Sequence, residues 1–352
     1  MTFDSIITIA AFCCYLIFML CIGMYFVGKN RTTNEYFLGG RQLGSWVTGL
    51  SAQASDMSGW LLMGLPGAAY LSGISAGWIA IGLAIGTYLN WLFVAKRLRQ
   101  YTKTADDAIT LPQFFKNRFH DESGWISVVA AVFILVFFLF YTASGFVSCA
   151  KLFSSVFGIP YLVSLVIGAV VVISYTFAGG FFAVCWTDFF QGILMFFCVL
   201  AVPTIAIFSM GGPTEFFSQV EAFNPNFLNM FVDGATGVPY TAMGIISLLA
   251  WGLGYFGQPH ILVRFMGISS PQAIKKSRRI ATIWVLISLT AAIMIGISGR
   301  MFLGDSIVLT DGNQETIYIS MVAKIFPVFI AGIFLSAILA AIMSTADSQL
   351  LV

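Results

Sequence analysis

The feature that most constrains this chain is the length of its apolar runs. An α-helix needs roughly 20 consecutive, mostly apolar residues to cross a bilayer core. Nine such stretches can be read here, with approximate limits 5–28, 45–73, 75–96, 124–156, 160–180, 182–211, 240–263, 279–303 and 318–351. They are long and continuous rather than ten-residue alternations, so the sequence predicts an all-α integral membrane protein and not a β-barrel. Charge agrees: Lys, Arg, Asp and Glu together make 9% of the 352 residues, against about 25% in a soluble domain. With 59% apolar residues, that excludes a soluble enzyme, a nucleic-acid binder and a disordered chain. The first run starts after Asp4 without a basic leader and lacks an A-x-A-type cleavage site, so it is expected to be a retained helix and not a signal peptide.

The basic residues give orientation. Lys29, Arg31 and Arg41 fall between the first two stretches, and Lys96, Arg97, Arg99, Lys103, Lys116 and Arg118 between the third and fourth. Arg264, Lys275, Lys276, Arg278 and Arg279 fall between the seventh and eighth, so 14 of 17 basic residues lie in alternate connections. The 212–239 connection carries Glu215, Glu221 and Asp233 but no Lys or Arg. By the positive-inside rule the protein is expected in the cell (inner, cytoplasmic) membrane, multi-pass, with its N-terminus outside. The net charge of +2 then sums two opposed faces; the basic loops either touch anionic lipid or record topology alone. Cys13, Cys14, Cys21, Cys149, Cys185 and Cys198 all fall inside apolar stretches, form no C-x-x-C, and read as small packing residues. Only His120 and His260 are available, so no H-E-x-x-H or Cys/His cluster exists, and no P-loop is present.

Three stretches break their own rules. Asp56 lies at depth in the second, within the small, polar run Ser51-Ala52-Gln53-Ala54-Ser55-Asp56-Met57-Ser58-Gly59-Trp60, followed by Gly64, Pro66 and Gly67. Either this is a polar helix face packed through small residues, or it is an unwound segment whose freed carbonyls and hydroxyls hold a cation. The seventh is interrupted by Trp251-Gly252-Leu253-Gly254-Tyr255-Phe256-Gly257-Gln258-Pro259-His260. Its aromatics could form an interfacial belt. Two Gly/Pro-interrupted spans in separate parts of a chain also mark an inverted-repeat transporter, with stretches two to six as one five-helix unit and the seventh opening the second. The last stretch carries Ser344-Thr345 in an alanine-rich setting, then Asp347. That pair serves either as helix–helix glue or as two oxygen donors for a hard cation such as sodium. Asp347 reads equally as an acid at the cytoplasmic mouth. Asp188 is an interfacial acid or part of an ion path, and Tyr141 and Ser144 put hydroxyls at mid-span.

These segments resemble the solute:sodium symporter family, and within it the bacterial proline carriers. The stretches that carry the resemblance are Leu38-Gly39-Gly40-Arg41, Ala54 to Ala68, Trp186-Thr187-Asp188, Trp251 to Met266 and Ala340 to Val352, and the likeness runs the length of the chain. It implies a LeuT-type inverted-repeat core and secondary active transport, with inward Na⁺ movement coupled to L-proline uptake by alternating access. The same machinery carrying another small solute (pantothenate, a sugar, a carboxylate) and a membrane solute sensor are the alternatives. No enzyme activity, no cofactor beyond Na⁺ as coupling ion, and no nucleic acid or obligate protein partner are expected; proline, Na⁺ and membrane lipid are. The resemblance implies carbonyl donors at Ala54, Met57 and Ala341 and hydroxyl donors at Ser344 and Thr345 for sodium. It implies coupling or ion-path acids at Asp56 and Asp188, and a proline pocket with gates at Ser58, Gly59, Tyr141, Trp251, Tyr255 and Pro259. Arg41 is implied as a cytoplasmic residue that affects coupling. The domains expected are 1–44 as a peripheral first helix and cytoplasmic loop, 45–211 as the first five-helix repeat, 212–239 as an extracellular loop and 240–352 as an incomplete second repeat. Family members continue past this point, so the sequence reads as C-terminally truncated, without the closing helices of the core, and is expected to transport poorly alone.

Overall fold

A computed structural model describes residues 3–27, 32–176, 180–304 and 313–352. Within them the secondary structure is helical apart from two isolated bridges, Leu43 with Ile268 and Val232 with Pro239. In chain order the helices are α1 Phe3–Val27, α2 Thr33–Leu38, α3 Ser45–Met57, α4 Gly64–Ser72, α5 Gly77–Leu89, α6 Ala95–Thr104, α7 Leu111–Arg118, α8 Trp125–Phe157 and α9 Tyr161–Thr176. They continue with α10 Gly180–Ser209, α11 Pro213–Phe223, α12 Ala242–Leu249, α13 Pro259–Gly267, α14 Ile274–Leu303, α15 Ile317–Ile325 and α16 Val328–Leu350. Six helical runs are long and apolar enough to cross a membrane: Asp4–Phe26, Gly59–Thr104, Trp125–Phe157, Gly180–Ser209, Ile274–Leu303 and Val328–Leu350. Tyr161–Val172 and Ala242–Gly257 are apolar but shorter.

The stretch expected at 318–351 is two helices. Pro327 disfavours helical backbone in the residue before it; Phe326 is extended (φ −109°, ψ 148°), α15 stops at Ile325 and α16 restarts at Val328. Pro203, by contrast, sits inside α10 without ending it.

The core is built where α10 packs on α3, α14 and α16 and where α14 packs on α3 and α4. α16 is buried along most of its second half, from Leu335 to Gln349. α1 packs on α16 and α10 and turns Ile17, Phe18, Met24 and Tyr25 outward. Such apolar exposure suits lipid and would be costly in water.

One close approach decides where the second broken helix lies. A 3₁₀ segment, Ala250–Gly257, runs against α5, and a Cβ built on Gly252 would stand 2.0 Å from the Gly82 carbonyl oxygen. Gly252→Ala must therefore push two backbones apart. Overpacking of this kind costs about 1–3 kcal/mol or more, so the unfolding temperature in detergent is expected to fall by several degrees. Gly257→Ala meets nothing within 4 Å and should leave it nearly unchanged.

Candidate functional site

Two chain breaks build the site. α3 ends at Met57, and Ser58 takes a left-handed φ of 49° that non-glycine residues rarely adopt. The Ser58 hydroxyl accepts the Trp60 N–H at 3.2 Å, and a single turn, Gly59–Leu61, leads into α4. Ending a helix inside an apolar bundle strands its last carbonyls. Here the Tyr141 hydroxyl of α8 donates to Asp56 O at 2.7 Å. The break is shorter than the polar run: Ser51 to Met57 stay helical. The second break follows the 3₁₀ segment at Gln258 (ψ 107°), after which Pro259, with no N–H to satisfy, opens α13. The Asn90 side-chain amide donates to Tyr255 O at 2.8 Å, holding that segment to the π-helical turn, Asn90–Val94, that continues α5.

Between the breaks lies a cavity of about 320 Å³. Asp56, Met57, Ser58 and Trp60 line it from the first break, Trp251, Tyr255 and Gln258 from the second, and Tyr141 and Ser144 from α8. Trp60 and Trp251 stand 5.3 Å apart at 45°, on its rim. Tyr255 is buried while Trp251 is 53% exposed. Tyr255 and Asp56, both buried, line the cavity together, and the Asp56 Oδ2 has no partner among the described residues. Gly59 and Pro259 do not line the cavity. Gly59 packs against Ser148 and Ile342, and Pro259 is buried at the start of α13.

Behind Asp56, α3 meets α16. The Ser344 hydroxyl donates across the interface to Ala54 O at 2.9 Å and along its own helix to Ala341 O at 3.2 Å. Thr345 Oγ1 reaches Ala341 O at 3.0 Å. Helical Ser and Thr usually bond back within their own helix, so the bond to Ala54 singles this place out. Four of the five oxygen donors expected for sodium are thereby joined in one chain of hydrogen bonds, all buried and all uncharged. Met57, the fifth, is the buried last residue of α3. Neutral oxygens of this kind suit a hard monovalent cation.

The acids and Arg264 depart most from expectation. Arg264 does not lie in a cytoplasmic loop: α13 restarts at Pro259, so the residue falls within a helix and is 0% exposed. Its Nη2 meets Asp188 Oδ2 at 2.6 Å, and its Nε donates to Ser51 Oγ at 2.7 Å. Its guanidinium also donates to Ser348 Oγ and to His260 O. Asp188 is thus enclosed rather than wetted at an interface, and Ser51 donates to it at 2.7 Å. Asp347 is likewise fully buried rather than at an open mouth, with Ser348 Oγ 3.3 Å from Oδ1. The sequence signal for Arg264 was a cation inside the apolar run Ile261 to Met266, and a buried acid at Asp188 that needed one.

Arg41 stands apart from the cavity. It pairs with Asp107 at 2.9 Å and donates to Met266 O at 2.8 Å and Ala108 O at 3.1 Å. Arg99 Nε donates to Ile268 O at 2.7 Å, and the Leu43 N–H to Gly267 O at 3.2 Å. Together they take up the orphan carbonyls at the C-terminal end of α13, where cations are favoured. Of the cysteines, Cys149, Cys185 and Cys198 are buried packing residues, whereas Cys13, Cys14 and Cys21 of α1 face outward. Gly73-Ile74-Ser75-Ala76-Gly77 has the spacing of a nucleophile elbow, but Ser75 is buried and donates to Ser72 O at 2.9 Å.

A bundle of apolar helices, two of them broken at facing points around an aromatic and polar cavity, defines a multi-pass membrane protein. Residues 36–352 match the model of the sodium:solute symporter family, and the chain belongs to that family, whose members are carriers and not enzymes. The chain is 49% identical to "Sodium/proline symporter 2" of Staphylococcus saprophyticus over 340 residues, covering 96% of this chain and 65% of that protein. It is 48% identical to the sodium/proline symporter of Staphylococcus aureus over 341 residues, with the same coverage. The chain thus spans about two-thirds of the length of the curated relatives it matches, or 65%. Its fold is that of a Na⁺-coupled sialic acid symporter solved in a substrate-bound, outward-open state, with a TM-score of 0.81 over 98% of this chain and 71% of that one, at 21% identity.

Proposed function

We propose that this chain forms the sodium-binding part of a carrier that couples inward Na⁺ movement to L-proline uptake by alternating access. The observation that carries the reading is the meeting of Ala54 O, Ala341 O and the Ser344 and Thr345 hydroxyls beside the aromatic cavity. The staphylococcal relatives, called sodium/proline symporters, support proline as the solute. In this reading Ala54, Met57, Ala341, Ser344 and Thr345 hold the ion, and Asp56 beside them sets the local field. Sodium bridges α3 and α16 and so fixes the wall from which Asp56, Met57 and Ser58 line the cavity. Each ligand then tightens the other by the same factor. The proline ring lies against Trp251 and Tyr255, and its carboxylate toward backbone N–H groups freed at a break. The driving force suffices. A 100 mV potential gives about 2.3 kcal/mol per charge and a tenfold gradient adds about 1.4 kcal/mol, enough for an accumulation of several hundredfold.

The wider reading is a nine-span inverted repeat, with 45–211 as one unit and 240–352 opening the next, 1–44 peripheral and 212–239 outside. The pair of broken helices, α3–α4 and α12–α13, supports it. The basic loops support a cytoplasmic-membrane protein with its N-terminus outside. The test is binding of labelled proline to the purified chain in nanodiscs in sodium, lithium or choline. Sodium is expected to raise affinity at least tenfold, and Trp251→Ala and Tyr255→Ala each to lower it about tenfold, in line with about 1–2 kcal/mol for a ring contact. Unchanged affinity in both variants would remove the pose. Displacement of the label by pantothenate, a sugar or a short carboxylate, but not by unlabelled proline, would transfer the site to that solute.

A further inference from the structure

A groove runs along the outer seam of α10 and α14 and shares no lining residue with the cavity. Its first part, of about 350 Å³, is lined by apolar side chains alone: Trp46 and Leu50 of α3, Phe196 and Phe197 of α10, Ile283 and Trp284 of α14. A second hollow continues along the same seam between Leu200 to Ile207 and Leu286 to Met294. From Ile280 to Met294 the seam extends about 21 Å at 1.5 Å per helical residue. One leaflet of hydrocarbon is about 15 Å deep, so an acyl chain fits along it. Trp46, Ile283 and Phe197 are all more than half exposed, facing outward from the bundle.

One end of the groove is cationic. Lys276 and Arg279 are exposed, one helical turn before Ile280 and Ile283 on the same faces of α14. Among the described residues neither forms an ion pair. Their neighbour Arg278 is turned away over the Tyr88 ring at 5.3 Å. Trp46, near the start of α3, stands at the same end, and tryptophan is favoured where hydrocarbon meets headgroups. A dry groove with two unpaired cations and a tryptophan at its mouth matches a lipid in both of its parts.

We propose that this seam is a binding site for an anionic phospholipid of the leaflet on the basic side, with one acyl chain between α10 and α14 and its phosphate between Lys276 and Arg279. A neutral lipid would fill the groove but leave the two cations unmatched. A second copy of the chain would bring the same two cations against its own surface. The site is independent of the solute carried, so its test stands apart from the binding assay above.

The test uses the purified chain in phosphatidylcholine nanodiscs containing brominated phosphatidylglycerol or brominated phosphatidylcholine at matched mole fraction. The readout is the quenched part of tryptophan emission that disappears in Trp46→Phe. Brominated phosphatidylglycerol is expected to quench this component with an apparent affinity on the order of tenfold above that of the choline lipid. Lys276→Gln with Arg279→Gln should abolish the difference. Raising salt on the unmutated protein should shrink it as well, which keeps the test open if the double variant does not fold. Equal quenching by the two lipids, a preference that survives the double variant or high salt, or discs holding two chains with Trp46 shielded from both lipids would overturn the proposal.

Discussion

Arg264→Ala is expected to destabilise the chain by about 3–5 kcal/mol, the range for removing one partner of a buried ion pair. Arg264 is the one group that reaches Asp188, Ser51, Ser348 and the His260 carbonyl together, and so joins α13 to α10, α3 and α16. Without it the fully buried Asp188 keeps, among the described residues, the Ser51 hydroxyl at 2.7 Å, and an unpaired carboxylate in apolar surroundings is costly. Arg264→Lys should recover only part of the loss. An ammonium cannot send Nε to Ser51 and Nη2 to Asp188 at once, as the planar fork does. Removing both charges, Arg264→Met with Asp188→Leu, should be much milder than either single change, because neither group is left stranded. The recovery should stop short of complete, since the buried Asp347 also feels the Arg264 charge and loses it. Unfolding midpoints in detergent of the parent, Arg264→Met, Asp188→Leu and the double variant, read as a double-mutant cycle, decide it. Single variants as stable as the parent would mean that water reaches Asp188.

What could be read in the sequence follows from how local each signal is. The breaks were legible because glycine, proline and small polar residues inside an apolar run conflict with a helix on the spot. Of the two readings of the run from Ser51, a packed polar helix face holds through Met57 and the unwound one begins only at Ser58. Ser51 finds Asp188, and Ser55 bonds back to Ala52 O at 3.3 Å, so these polar residues are satisfied without unwinding. Proline is ambiguous for the same reason: Pro327 separates two helices while Pro203 is absorbed inside α10. The pairing of Arg264 with Asp188 joins residues 76 apart in sequence, and a positive-inside count assigns any arginine near a span end to the loop. The roles of Gly59 and Pro259 were drawn from resemblance; their positions in packing, and not on the cavity wall, depend on how α8 and α16 close around the break.

The meeting of α3 and α16 gives the second large effect. Thr345→Ala and Ser344→Ala are each expected to weaken sodium binding about 10- to 100-fold, as loss of an oxygen that contacts a charged group costs about 1.5–3 kcal/mol. The two should not be equivalent. Ser344 donates to Ala54 O across the interface as well as to Ala341 O, whereas Thr345 reaches only Ala341 O. Ser344→Ala should therefore also loosen α16 from α3 and lower stability in sodium-free buffer, while Thr345→Ala should act on sodium affinity alone. Thr345→Ser keeps the oxygen and should keep most of the affinity. Sodium titrations followed by thermal shift separate the two effects, because a ligand that binds only the folded protein raises its midpoint with concentration. If Thr345→Ala kept the parent's sodium response, the hydroxyl would not be a ligand, and the site would have to be rebuilt from the carbonyls of Ala54 and Met57 and the free oxygen of Asp56.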